Sequence, residues 1–303
     1  MPARFFVFVQ LEFPWALGPA DGRYLLRQRV DSEPERVVVL GTLNAGRASP
    51  ARAPGGGGLL ARLGARGTSV ESSPEPAAVM TSRVTVIDPV SLSAEQQARA
   101  WLSELDRERE VLAAVAVVNR VVHSHRISSA DPYVHEVSPE QALVIRAGWG
   151  EGEQVASGRW LHARELRWAP QGRRSLRSRR SRASVLRPQE RLAALLGARA
   201  DTLLCEELTL RARLDLDQGR LRLAALGLDS ALATAVTELR RVERQDLAIR
   251  VAELEQLRVG VGEQARGATL DGELEPDSET LAHALGRLEA ALRARTAPGV
   301  SVG

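Results

Sequence analysis

The chain contains no lysine, and all 41 of its basic residues are arginine. A Walker A loop places a Lys on the β- and γ-phosphates, and Schiff-base and pyridoxal-phosphate enzymes work through a Lys amine, so these classes are excluded. Lys, Ile, Asn and Phe are all scarce while Ala, Arg, Gly and Leu abound, which is the codon bias of a GC-rich bacterial genome. Cysteine is nearly absent. The single Cys205 can form neither an internal disulfide nor a multi-cysteine zinc site. Its place in the run Leu203, Leu204, Cys205, Leu208 makes it a small buried hydrophobe. Long apolar runs are missing too: the longest, Val111 to Val118, is far short of the ~20 residues that span a bilayer. At the N-terminus, Gln10 and Glu12 interrupt the apolar stretch Phe5 to Val9 too early for a signal peptide. The expectation is a cytoplasmic protein with no transmembrane segment.

What is present is ordinary globular material: 303 residues, 44% hydrophobic and 26% charged, enough for two domains with their own cores. The net charge of +3 hides an uneven distribution. Residues 1–170 balance 19 Arg against 19 acids. Residues 171–187 carry seven Arg and no acid, and residues 188–303 carry 15 Arg against 19 acids. The whole excess therefore lies in one strip between a neutral and an acidic region.

Periodicity divides the chain further. Phe5, Val7, Val9, Leu11 and Phe13 alternate onto one face of a strand, with Phe6 and Phe8 partly covering the other. Runs at Arg23–Arg29 and Arg36–Leu43 follow, most simply as an antiparallel meander. Residues 45–80 lose periodicity and fill with Gly, Ala, Pro, Ser and Arg, the composition of a flexible linker or insertion. A strand is expected at Arg83–Asp88, then a helix capped by Ser93 with Gln96 three residues on. Trp101, Leu105, Leu112, Val115 and Val122 carry helical spacing to about His123, although the Val-rich part, Val111 to Val122, also fits a buried strand. Ser138-Pro139 opens a short helix that Gly148–Gly152 breaks, with Trp149 packing inward from a tight loop. Beyond the arginine strip, five helices are expected through residue 296, followed by a disordered tail at 297–303. The fold class is α+β: residues 1–44 and 81–170 as an antiparallel sheet with helices, a basic tether at 171–187, and an all-α hairpin or bundle domain at 188–296.

Candidate sites are few. His123, His125 and His135 lie close together beside Asp131 and Glu136, a composition that suits zinc or iron, but on a helix His123 and His125 point some 200° apart. Gly148-Trp149-Gly150-Glu151-Gly152 lacks the third glycine of a dinucleotide loop, having Glu153 there instead. The carboxylate pairs Glu206-Glu207, Asp215/Asp217 and Glu273/Glu275 have no nucleophile or second base beside them. No motif calls for a cofactor, a metal or a catalytic residue. Two features carry function. Arg173, Arg174, Arg177, Arg179, Arg180, Arg182 and Arg187 form a strip able to hold RNA or DNA by counterion release, or to act as a solvated or internal tether. Leu281, Leu285, Leu288 and Leu292 repeat as a heptad seam, a partner face. The expectation is a non-enzymatic interaction or scaffold protein whose helical domain binds a protein partner or self-associates. The alternatives are nucleic-acid association through the arginines and a metal-dependent enzyme built on the three histidines.

Overall fold

In the computed structural model, which describes residues 4–44, 80–168, 182–269 and 275–296, the alternating N-terminal run is strand β1, Phe5–Phe13. Strands β2 (Gly22–Leu26), β3 (Arg36–Asn44), β4 (Met80–Ile87), β5 (Val144–Glu151) and β6 (His162–Glu165) join it in the order β2-β3-β4-β1-β5-β6. Every pairing is antiparallel. The expected meander of the first three segments is thus corrected. β2, β3 and β4 form a meander, while β1 inserts between β4 and β5. Its apolar residues on both faces explain the central place, since an edge position would leave one side of the phenylalanines wet. Met80, assigned by composition to the linker, begins β4.

Helices α1 (Glu95–Glu104) and α2 (Arg107–Ser129) belong to this sheet. The helical stretch is two helices because the chain breaks at Leu105-Asp106, where the Asp106 carboxylate caps α2 by accepting from the Arg109 N–H. Val111, Val115, Val118 and Val122 form one stripe that packs with Val9, Leu11, Phe13, Val38 and Val84, so the Val-rich run is helix rather than strand. Phe5 and Trp149 pack with Ala98 and Trp101 of α1. The first helical residue is Glu95 rather than one after Ser93, and the Ser93 N–H donates to Gln97 instead of Gln96.

The opposite sheet face is divided. Phe6, Phe8, Val37, Val39 and Ile87 are covered by Val155, Ala156 and Trp160. Next to them Gln10 donates to Thr85 at 2.9 Å, and Glu12 accepts from Arg83 at 3.0 Å and from Arg146 at 2.8 Å. Burial alone would raise the Glu12 carboxyl, but the hydrogen bonds from Arg146 and Arg83 outweigh it and hold it below its ordinary value.

The glycine-rich stretch is a second correction. Ser138-Pro139 starts only one 3-10 turn, Pro139–Gln141, and residues 144–151 are a central strand. A Cβ at Gly148 would lie 2.4 Å from the His162 carbonyl oxygen and 2.8 Å from Phe8 Cζ. The glycine is therefore present for close packing of β5, not for a ligand loop. Trp149 is buried from within the strand, edge-on to Phe5 at 5.5 Å.

Contacts divide the chain into two compact units, Met1–Arg174 and Ser175–Gly303. All tryptophan, tyrosine and phenylalanine residues fall in the first. The second comprises α3 (Arg182–Leu196), α4 (Leu204–Asp217), α5 (Leu221–Leu239), α6 (Gln245–Thr269) and α7 (Ser278–Thr296). Its core is built from leucine, alanine and valine, and the many alanines let helices approach closely. α5 is buried along Ala224, Leu228, Ala231, Leu232, Ala235 and Leu239. Ion pairs lock neighbouring helices outside the core, as where Arg287 grips Glu253 with two bonds of 2.6 Å and Arg213 meets Glu289 at 2.8 Å.

Candidate functional site

The heptad leucines are where the structure departs furthest from the functional expectation. Leu281, Leu285 and Leu288 are buried in the core of the second unit, and Leu292 packs against that core half-buried. A face consumed inside the unit is not free to bind a partner. The arginine strip lies mostly outside the described residues, as do residues 45–79 and the tail. Arg182 and Arg187 fall within α3, so the expected tether from 171 to 187 runs into helix at residue 182.

The histidines diverge, as a continuous helix requires. α2 runs on to Ser129, placing His123 and His125 on different sides. His123 Nδ1 lies 3.1 Å from the Arg126 guanidinium and 3.7 Å from Glu136. His125 faces the Gly18 backbone, and His135 lines a separate concavity with Asp131 and Glu136. Among the described residues no group of three or more His, Cys, Asp or Glu side chains is gathered to hold a metal ion.

One surface left open in the helical unit surrounds α3. None of its described side chains, residues 189–196, is buried. Leu192 is 50% exposed and Leu196, one turn on, is 79% exposed. Beside this ridge runs a groove of about 560 Å3 between α3, α4 and α7, whose apolar lining is Leu195, Leu210 and Leu292. Its rim is charged with both signs and already organised. Glu206 accepts from Arg191 at 2.6 Å and from Arg295 at 3.3 Å, while its other oxygen takes the Leu203 N–H at 3.0 Å. Glu289 bridges Arg213 and, at 3.8 Å, Arg293. An apolar lining inside a paired polar rim is the anatomy of a protein-binding surface.

The remaining carboxylate pairs are structural. Glu207 pairs with Arg211, Asp215 with Arg220 and Asp217 with Arg213. Glu273 lies outside the described residues.

Two side chains that sequence reasoning passed over do the local positioning. Glu238, near the end of α5, accepts the Leu204 and Cys205 N–H groups at 3.1 and 3.0 Å and so caps α4, whose own N-cap residue, Leu203, has no side-chain oxygen. Burial would raise its carboxyl, yet the bonds from the Cys205 and Leu204 amides hold it below the ordinary value. Asn119, buried in α2, donates to the Val137 carbonyl at 2.9 Å and accepts the Val137 N–H at 2.8 Å, which pins the chain after α2 against the helix. A buried Asn in a valine stripe is the one signal that could have marked it.

Comparison with known proteins gives no similarity to reason from: no family model, no curated protein and no solved structure matches the chain.

Proposed function

We propose that the chain is a non-enzymatic interaction protein that self-associates through α3 and the groove beside it. The observation that carries this reading is the exposure of α3. A helix of this length draws its stability from burying an apolar face, and α3 buries no described side chain within its own unit. The Leu192/Leu196 ridge and the Leu195/Leu210/Leu292 lining adjoin on one unit. Two copies related by a two-fold axis then bury both ridges at once, since each copy offers what the other needs. Glu206, Arg191 and Arg293 at the rim meet water or the second copy without an unpaired charge being forced into the interface. No helix among the described residues is long and apolar enough to cross a membrane.

The test is the native mass of the full chain by sedimentation velocity at tens of micromolar. A species of twice the 32.9 kDa chain is expected. Leu192→Glu/Leu196→Glu should return it to the monomer mass without changing helicity. A wild-type chain that stays monomeric, or a variant that stays dimeric, overturns the assignment of α3.

A further inference from the structure

The loop between β1 and β2 and the segment following α2 line an open cavity of about 550 Å3 in the first unit, away from any surface assigned above. We propose that this cavity is a binding site for a small organic ammonium ion.

Its walls are pinned from both sides. Gly18 has φ +106°, and a Cβ there would stand 2.8 Å from His125 Cδ2 and 3.3 Å from Val134 Cγ2, so the loop lies directly on the end of α2. Asn119 clamps both main-chain groups of Val137 and thereby holds His135 and Glu136 in the facing wall. A cavity formed by two fixed segments costs little ordering when a ligand enters. Its volume falls within the range of small-molecule sites.

The lining selects the charge. Arginine makes up 41 of 303 residues, yet no arginine lines this cavity, whereas Asp131 and Glu136 both do. Glu136 is only 4% exposed and its charge is offset by Arg126 behind it at 3.4 Å. Asp131 supplies the net charge. One of its oxygens accepts the Tyr133 N–H at 2.9 Å, and no cationic side chain among the described residues pairs with it. A second cavity of about 450 Å3, lined by His125 among others, does contain arginines, Arg27 and Arg120.

The lining also selects an organic cation over a metal ion. The carboxylates are not gathered into a ligating group, and the open surface is aromatic: Trp15 is 37% exposed and Tyr133 85%. Trp15 is oriented by Phe13, whose ring lies 5.5 Å away at 51°. Aromatic faces attract an ammonium group through the ring quadrupole, by about 0.5–2 kcal/mol each, and one carboxylate then completes the site. A hydrated metal ion gains little from such faces.

Choline serves as the probe, measured by saturation-transfer NMR with the full chain, in sodium chloride of matched ionic strength and with glucose as a neutral control. Transfer to the choline methyl groups is expected at millimolar concentration. Asp131→Asn, which keeps the oxygen that receives the Tyr133 N–H, should weaken binding roughly fivefold, the value of one exposed ion pair. Tyr133→Ala should weaken it comparably while leaving the melt unchanged, because that ring is almost wholly exposed. Absence of transfer to choline, transfer undiminished in Asp131→Asn, or binding of glucose in place of choline would each overturn the proposal.

Discussion

Replacing Glu238 by Ala removes the carboxylate that accepts the first two amides of α4, Leu204 and Cys205. Leu203 precedes the helix and its side chain has no oxygen to offer, so the Leu204 and Cys205 amides rely on a carboxylate 34 and 33 residues away. The Leu204 amide, on an exposed residue, can turn to water when Glu238 is lost. The loss then resembles an ordinary missing cap, about 1 kcal/mol. The Cys205 amide is part-buried and is left without an acceptor, which adds about 1 kcal/mol. A total of about 2 kcal/mol lowers the Tm of the helical unit by about 8 °C, at about 4 °C per kcal/mol for a unit of this size. Glu238→Gln keeps a neutral oxygen acceptor and should lose about half as much.

The assay is differential scanning calorimetry of the full chain with ellipticity at 222 nm. Tryptophan emission serves as the reference because all five tryptophans lie in the first unit. Acid supplies the second half of the test. The Glu238 carboxyl is held below its ordinary 4.5, so its contribution is complete above that pH and is lost as pH falls through the depressed folded value. The gap between wild type and Glu238→Ala should therefore close on acidification. A Tm change below about 1 °C at neutral pH, or a gap that survives strong acid, would refute the capping role.

Three further outcomes follow from the same reasoning. Gly148→Ala should destabilise the first unit by about 3 kcal/mol in urea melts read by tryptophan emission, because the added methyl meets the His162 carbonyl and Phe8 with nowhere to go; a cost under about 1 kcal/mol would show that β5 tolerates a side chain there. Glu12 sits between Arg83 and Arg146 with its carboxyl held low, so the first unit should keep this contribution above the ordinary 4.5 and lose it as pH falls further, whereas Glu12→Gln should show a flatter acid limb; equal limbs would remove Glu12 from the account. Burial pushes the Cys205 thiol well above its usual range, with Glu238 adding to the effect, so Ellman's reagent should leave native protein unlabelled and label one thiol per chain in denaturant; rapid labelling of the native chain would contradict the buried thiol.

The α+β class and the helical second unit are legible because both rest on local patterns. Alternation over Phe5–Phe13 and the spacing of Leu221 through Leu239 each report that a face is covered. The same patterns do not say by what. The heptad at Leu281–Leu292 has the spacing of a partner seam and is spent on α7's own neighbours, since a covered stripe looks alike whether the cover is the same chain or another. Gly148 and Gly150 read as a loop because glycine lowers strand propensity, whereas the His162 carbonyl and Phe8 ring beside Gly148, and Val155 beside Gly150, supply the reason for glycine at each place. The histidines are neighbours in sequence and were separated by the continuation of α2 to Ser129.

By itself, then, the sequence determined what the chain lacks and where its apolar faces repeat: no lysine chemistry, no internal disulfide, no aromatic residue beyond the first unit, and the periods of β1 and of the later helices. The tertiary structure decided where β1 sits in the sheet, that the heptad is core while the described side chains of α3 stay unburied, and which distant acceptors serve the α4 amides and the Val137 backbone. The division follows from range. A period is a property of consecutive residues, whereas the partner that covers a face or satisfies an orphaned amide is chosen by contacts between residues that the chain itself keeps apart.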